Sequence, residues 1–471
     1  MKSLKALFVL AIGLALAVPA FAETQNVKVS GSIDAYAFYR DNYDLNGGDD
    51  RGTVPPTGAA ASGTNAHKSD ADEYWMGITQ VEVSADLTDN VSTVVNLINQ
   101  RDWNASAHSS AGSTTNSTQE FDITLDLAYV QMKEIFYSPL TLTVGRQDIW
   151  FGRGFIVGNN NRAWDPQGAL EANEYSVTTA FDAIRATLDF NPWTIDAIYS
   201  KIDEGSHDPE DDLDLFGVNI NYKFAEYNAV AEAYWFTEDD RNTIATVNAA
   251  TTGDTRMNDT HTIGGRVQFD PISQITLGAE VAYQFGNYRA VTSTANPERD
   301  RSAWAFDLFG TYRWDYTWKP ELTLEWVSFG GEADTTAAST SDYGAWNGLY
   351  RGRFYTAYGD FREFVYGTTD AADQSATTNQ DLLQLKGAIK PMEDLLLESS
   401  FTWFWTPESV TSAGSTRNDD LGWEVDFQAT YDYTEDVSFG LLMAWFVPGD
   451  FYQSPADDTA TDIVSSVKVT F

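Results

Sequence analysis

The stretch that most constrains the fold is Leu421 to Val447, near the C-terminus. Apolar and aromatic residues recur there at every second position: Leu421, Trp423, Val425, Phe427, Ala429, Tyr431 and Tyr433 lie on one side. Glu424, Asp426, Gln428, Thr430 and Asp432 lie on the other. A period of two is the signature of an extended strand, whose successive side chains point to opposite faces. After Thr434-Glu435-Asp436 the alternation resumes with Val437, Phe439, Leu441, Met443, Trp445 and Val447. Ser438, Gly440 and Ala444 face the other way, and Leu442 and Phe446 break the pattern. Strands of soluble sandwiches average ~5–6 residues, whereas a tilted membrane-spanning strand needs ~9–11. Both strands of this hairpin have the second length, so the chain is expected to cross a membrane with strands.

The N-terminus points to export. Lys2 and Lys5 precede an apolar run from Leu7 to Val18, and Ala20-Phe21-Ala22 fits a small-x-small cleavage site. Residues 1–22 therefore have the features of a secretory signal peptide, with a mature chain from Glu23 to Phe471. An uncleaved anchor would need a longer apolar core. No other stretch is apolar enough for a transmembrane helix. Cysteine is absent, which excludes disulfides, thiol nucleophiles and thiolate metal sites. The formal charge is −40, and two units more negative once Lys2 and Lys5 leave. Such a balance argues against nucleic acid and against basic-patch binding to anionic lipid.

Taken in order, the chain predicts eighteen strands, near 27–40, 74–87, 91–103, 121–133, 140–151, 180–190, 193–201, 213–224, 227–236, 260–269, 275–285, 302–314, 319–329, 381–391, 395–405, 420–433, 437–447 and 462–471. The number is even, as in bacterial single-chain barrels. Short connections (Asn191-Pro192, Ala225-Glu226, Asp270 to Gln274, Pro391 to Asp394) alternate with long polar loops such as Asp41 to Asp72 and Thr237 to Asn258. The expected fold is all-β: a single 18-stranded antiparallel transmembrane β-barrel with short periplasmic turns, long extracellular loops and both termini at the periplasmic end. Trp193, Trp235, Trp314, Trp318, Trp403 and Trp405 crowd strand ends, as interfacial girdles require. Gly330 to Asn379 is too long for an ordinary loop and rich in aromatics. It is expected to fold into or over the pore mouth; the alternative is one further strand pair.

Two regions resemble the alginate export family of outer-membrane barrels. One is the opening hairpin, with Trp423-Glu424-Val425-Asp426-Phe427, Ser438-Phe439-Gly440 and Pro448-Gly449-Asp450. The other is Gly145-Arg146-Gln147, Phe151-Gly152-Arg153-Gly154, Val157-Gly158 and Phe181-Asp182-Ala183-Ile184-Arg185, to which Tyr355 to Tyr366 is added. The terminal Phe471 resembles the usual ending of outer-membrane proteins. The resemblance implies a monomeric barrel in the bacterial outer membrane whose narrow, arginine-lined pore passes an anionic polysaccharide. Arginine suits that task because it stays charged and its planar fork grips carboxylates. The pore candidates are Arg146, Arg153 and Arg185, and Arg353 and Arg362 of the long loop. Parity places Arg185 toward the lumen; it places Arg146 with Leu142 and Val144 unless the strand bulges at Gly145. The loop from Gly152 to Thr179, with Trp164 inside it, is expected to dip inward and meet the Arg353–Arg362 loop, leaving a constriction with a positive local field.

Parity also assigns more acids than bases to the lumen, among them Asp196, Glu232, Glu280, Asp307, Glu325 and Glu424. This favours an alternative reading, a cation-preferring general porin; a closed structural or adhesion barrel is a third. No cofactor is expected. Asp44 to Asp50 and Asp208 to Asp214 loosely resemble calcium loops without the full ligand spacing, so solvated acidic loops are the plainer reading. No catalytic residue is assigned: His67, His108, His207 and His261 lie in or beside loops, outside any nucleophile motif. The expected partners are outer-membrane lipid, lipopolysaccharide and a small polar or anionic polysaccharide solute.

Overall fold

Alternation of side chains decides the architecture. In lipid every backbone N–H and C=O must be paired within the protein, so strands can span only as a closed cylinder. The computed structural model describes residues 26–43, 45, 71–103, 122–160, 170–204, 212–241, 258–288, 298–333, 341–360, 378–412, 415–452 and 457–471. Eighteen strands form one sheet. They are β1 Asn26–Asp41, β2 Ala71–Thr88, β3 Val91–Asp102, β4 Thr124–Met132, β5 Leu140–Gln147 and β6 Phe181–Asp189. Then come β7 Trp193–Glu204, β8 Asp212–Lys223, β9 Val230–Asp240, β10 Asn258–Ile272, β11 Ile275–Tyr288 and β12 Arg299–Arg313. The last are β13 Glu321–Phe329, β14 Gln380–Met392, β15 Leu395–Trp405, β16 Asp420–Asp432, β17 Val437–Pro448 and β18 Ala460–Thr470. Each pairs antiparallel with its sequence neighbours, and β1 pairs with β18 from Ser32↔Thr470 to Asp41↔Thr461. Gly31 and Phe471 exchange backbone hydrogen bonds at 2.8 and 3.0 Å, so the cylinder closes with no free edge.

The outward faces carry what lipid accepts. Leu277, Val281, Leu308, Leu324, Leu385, Phe401 and Leu441 are exposed on the outer surface. Trp75, Trp235, Trp304, Trp403 and Trp423 ring the end with long loops, and Trp193, Trp314, Trp318, Tyr431 and Tyr433 ring the end with short turns. Trp304 and Trp314 are ten residues apart along and just beyond β12. At ~3.4 Å per residue and a ~40° tilt that is about 26 Å of height, close to the ~25 Å apolar band of such barrels.

The inner face is not uniformly polar. Toward the long-loop end, Phe181, Phe236, Phe329, Phe404, Phe446, Leu215 and Leu382 point inward, each buried. They pack against Phe151, Phe155, Ile156, Val157, Trp346, Leu349, Tyr350, Tyr355 and Tyr358 from two inward-folded loops. The apolar core of this membrane protein thus lies inside its cylinder. Phe446, an apolar exception on the otherwise small and polar side of its strand, is a docking site: its ring lies 5.1 Å from that of Tyr358. Leu442, the other exception, packs against a second inner cluster around Phe38, Met76, Ile98 and Val464.

Three expectations need correction. Leu421 does not share the outward face of Trp423; it is 2% exposed and belongs to the inner core. Gly422, at φ +112°, sits where the β15–β16 register slips, and this bulge shifts the phase by one. The strand expected over 140–151 ends at Gln147, and the one expected from 121 begins at Thr124. Beyond Gln147 the chain turns into the lumen through Gly152 and Gly154, both at positive φ. The expected signal peptide lies outside the described residues, as do most of the two candidate calcium loops.

Candidate functional site

Two loops build the interior. The first, between β5 and β6, contributes residues 148–160 and 170–180. The second, between β13 and β14, contributes residues 341–360, which form isolated bridges rather than a strand pair among the described residues. They meet along a short parallel contact. Tyr350 N–H donates to the Ile156 carbonyl at 3.1 Å, and Gly158 N–H donates to the Tyr350 carbonyl at 2.8 Å. Gly352 N–H donates to the Gly154 carbonyl at 2.9 Å.

Wall residues hold each loop. The first reaches across to the seam between β1 and β18: Glu174 pairs with Arg40, whose Nε lies 3.3 Å from Asp462 Oδ1. Gln100 on β3 donates to Ser176 Oγ at 2.8 Å. In the second loop, the Asn347 side chain donates to Glu238 Oε1 at 2.9 Å and its backbone N–H donates to Gln284 Oε1 at 2.8 Å. Further on, Glu424 of β16 accepts the N–H groups of Tyr358 and Gly359 at 2.7 and 2.6 Å. Beneath this turn, Arg351 and Asp360 pair at 2.8 Å with neither side chain exposed. Burial pushes the Asp360 carboxyl above the ordinary carboxylate range, against the downward pull of Arg351 and of the Tyr355 N–H.

Phe151-Gly152-Arg153 runs past three charge groups. Phe151 lies under the Arg185 guanidinium, 5.3 Å from ring centroid to carbon, and Arg185 Nε donates to Asp196 Oδ1 at 2.8 Å. Gly152 passes so close to the Glu232–Arg266 pair that an added Cβ would sit 2.8 Å from Glu232 Oε2. That pair is itself closed at 2.7 Å. Arg153 then spans Asp307 and Glu325 at 2.8 and 2.6 Å, with Phe309 stacked 3.7 Å from its guanidinium carbon. Arg353 of the second loop takes the other Glu325 oxygen at 2.8 Å. Tyr355 donates to Asp307 Oδ2 at 3.3 Å; burial and the Asp307 and Glu325 carboxylates hold its phenol well above the ordinary range, so it stays a donor.

The structure therefore brings Arg153, Arg185 and Arg353 together, and adds Arg266 of β10, which stands outside the pore candidates named above. Arg146 stands apart: Gly145 adopts φ +123°, but the ladder keeps its register and Arg146 pairs with the exposed Asp182 at 3.4 Å. Arg362 and Trp164 lie outside the described residues. Of the four histidines only His261 is described; its Nδ1 lies 2.9 Å from Thr237 Oγ1 among Trp235 and Phe285 on the outward face. The field expected to be positive is balanced in formal charge, because Arg153, Arg185, Arg266 and Arg353 face Asp196, Glu232, Asp307 and Glu325. The balance is not symmetric in space. The four carboxylates are 0–5% exposed, whereas the four arginines are 10–27% exposed.

Comparison with known proteins bears on this arrangement. A profile of the family described as alginate export matches residues 58–466. No curated protein sequence matches the chain. Solved structures of similar fold include Acinetobacter baumannii OccAB1, at 12% identity and TM-score 0.53, over 96% of this chain and 98% of that one. Pseudomonas aeruginosa OpdK with vanillate matches at 10% identity and TM-score 0.52, over 95% and 100% of the two chains. Pseudomonas aeruginosa OccK2 (OpdF) in complex with glucuronate matches at 11% and 0.50, over 95% and 97%. Identities this low speak to the fold alone.

Proposed function

The chain belongs to the alginate export family, as a β-barrel of the bacterial outer membrane, and on that premise we propose that it is a selective channel for a small, anionic, carbohydrate-derived solute. The observation that carries this reading is the layering of charge at the constriction. Each carboxylate lies beneath an arginine, so a solute in the lumen meets guanidinium edges rather than carboxylate oxygens. Guanidinium groups so fixed replace part of the hydration of a passing carboxylate, as charged rings do in selective pores. Pairing with Asp and Glu below also limits how tightly an anion is held, and a conducting site must release what it binds. OpdK and OccK2 were solved with vanillate and glucuronate, both small organic acids, which is consistent with this class of solute.

A second reading follows from the same balance. Glu280 adds a further carboxylate, bonded to the Tyr234 hydroxyl at 3.0 Å, and a ring neutral to slightly acidic would favour cations. Reversal potentials across a salt gradient in planar bilayers separate the two. The wild-type channel is expected to prefer anions, and Arg185→Ala with Arg353→Ala is expected to lower that preference while the barrel still folds. Glu325→Gln removes the charge shared by Arg153 and Arg353 and is expected to move the potential the opposite way. A wild-type cation preference that neither variant shifts would make these arginines ordinary wall charges.

A further inference from the structure

We infer that Trp150 is a stacking platform for the ring of an acidic pyranose, placed so that the sugar's carboxylate falls to Arg153 and Arg353; this rests on the anion-channel reading above. Trp150 is the anomaly of its loop. Its apolar neighbours Ile149, Phe151, Phe155, Ile156 and Val157 are all buried, yet Trp150 is 50% exposed. Its exposure is not that of the lipid-facing girdle, because the residue lies beyond the end of β5 and its indole rests on main chain of both inner loops.

That seat is built from glycine. A Cβ added at Gly154 would sit 2.4 Å from Trp150 Cζ2, one at Gly352 would sit 2.5 Å from Cζ3, and one at Gly158 would sit 2.8 Å from Cε3. Any other residue at these positions would lift the ring away. The indole Nε1 donates to the Gly152 carbonyl at 3.1 Å, which fixes the ring's rotation. The six-membered ring of the indole is thus laid against backbone of both inner loops, while half of the residue stays exposed.

The surroundings narrow the occupant. Gly154 directly follows Arg153 and Gly352 directly precedes Arg353, so the backbone that seats the indole also carries the two arginines that share Glu325. A flat aromatic face attracts the C–H face of a saturated ring, and oriented cations beside it fix a carboxylate. A pyranose bearing a carboxylate presents both features on one molecule; an open-chain acid presents only the second.

Two probes distinguish them in single-channel recordings: glucuronate, a ring with a carboxylate, and gluconate, an open chain with a carboxylate. In wild type glucuronate is expected to interrupt the current for longer than gluconate. Trp150→Ala is expected to lower the ratio of the two residence times roughly three- to tenfold, the range that one aromatic contact provides. Trp150→Phe should keep part of the ratio, since it retains a smaller aromatic face while losing the Nε1 bond and the distal ring that rests on the glycines. If both residence times fell together in Trp150→Ala, or the ratio stayed at its wild-type value, Trp150 would be a wedge that shapes the loops and the inference would fall alone. A wild-type channel that prefers cations and is interrupted by neither probe would overturn the anion-channel reading as well.

Discussion

Arg351→Ala should release the second inner loop from the barrel and raise the conductance several-fold. Arg351 and Asp360 are completely buried as a pair, and the guanidinium carbon lies 4.9 Å from the ring centres of both Phe329 and Phe354. Removing one member of a buried pair strands the other charge at a cost of about 3–5 kcal/mol. No interstrand hydrogen bond of the barrel wall depends on this pair, so the loop and not the cylinder should give way. The defect should depend on pH with a definite sign. Burial already raises the Asp360 carboxyl, and without Arg351 it should rise further. A group whose pKa is raised in the docked form contributes most when protonated, so docking should recover as pH falls and be lost as pH rises through that raised value. Conductance and limited proteolysis, followed from acidic to neutral pH, check both parts. Arg351→Met combined with Asp360→Asn should restore most of the docking, because removing both charges avoids the stranded one. Wild-type conductance for Arg351→Ala at neutral pH would show that the pair is dispensable.

The next largest effect is expected on the outer surface. Leu308 lies midway along β12 between Trp304 and Tyr312, faces lipid, and is 39% exposed; Ala279 stands opposite it on β11. Arg at either position should cost about 2–4 kcal/mol at mid-membrane depth. Glu398→Gln, on the lumen face, removes the 2.9 Å pair with a half-exposed Lys386 and should cost about 0–1 kcal/mol, since such pairs are largely screened. Urea unfolding in lipid vesicles, read by the heat-dependent shift in gel mobility, compares them directly. Equal losses for Leu308→Arg and Glu398→Gln would mean that the inward and outward faces are wrongly assigned.

What could be read in advance follows from which features are local. A period of two is local, and so the eighteen strands, their register parity and the turn–loop asymmetry were legible from residues such as Leu277, Val281 and Phe285. A bulge is also local but silent: nothing distinguishes Gly422, which shifts Leu421 inward, from the glycines that leave the phase intact. The meeting of the two loops was anticipated from glycine and arginine content. Their pairing was not, because which carboxylate lies under Arg153 depends on contacts across 154 and 172 positions of sequence. Glu280 was placed on the lumen face correctly, but not as a buried partner of Tyr234. One further signal lies in the sequence. Phe181, Phe236, Phe329, Phe404 and Phe446 all fall on the inward phase near the long-loop ends of their strands, and an aromatic in that position marks where something docks. The glycines around Trp150 were a second: Gly154 and Gly158 crowd one tryptophan, while the third glycine of the seat, Gly352, lies almost two hundred residues away.

The anchoring of the first loop at the β1–β18 seam ties the finished pore to the order in which the protein is made. Glu174 is held by Arg40 from the first strand, and Arg40 also reaches Asp462 on the last. Until the final strand has been delivered and zipped to the first, half of that anchor does not exist. The loop has no complete place to settle before then, and the entropy of confining so long a segment is not yet offset. The part of the first loop around Glu174 therefore completes its contacts only when the cylinder closes, whereas Gln100 and the Arg153 partners on β12 and β13 hold the rest of it without the seam. A variant that weakens the seam alone should free the segment around Glu174 even where every constriction residue is intact.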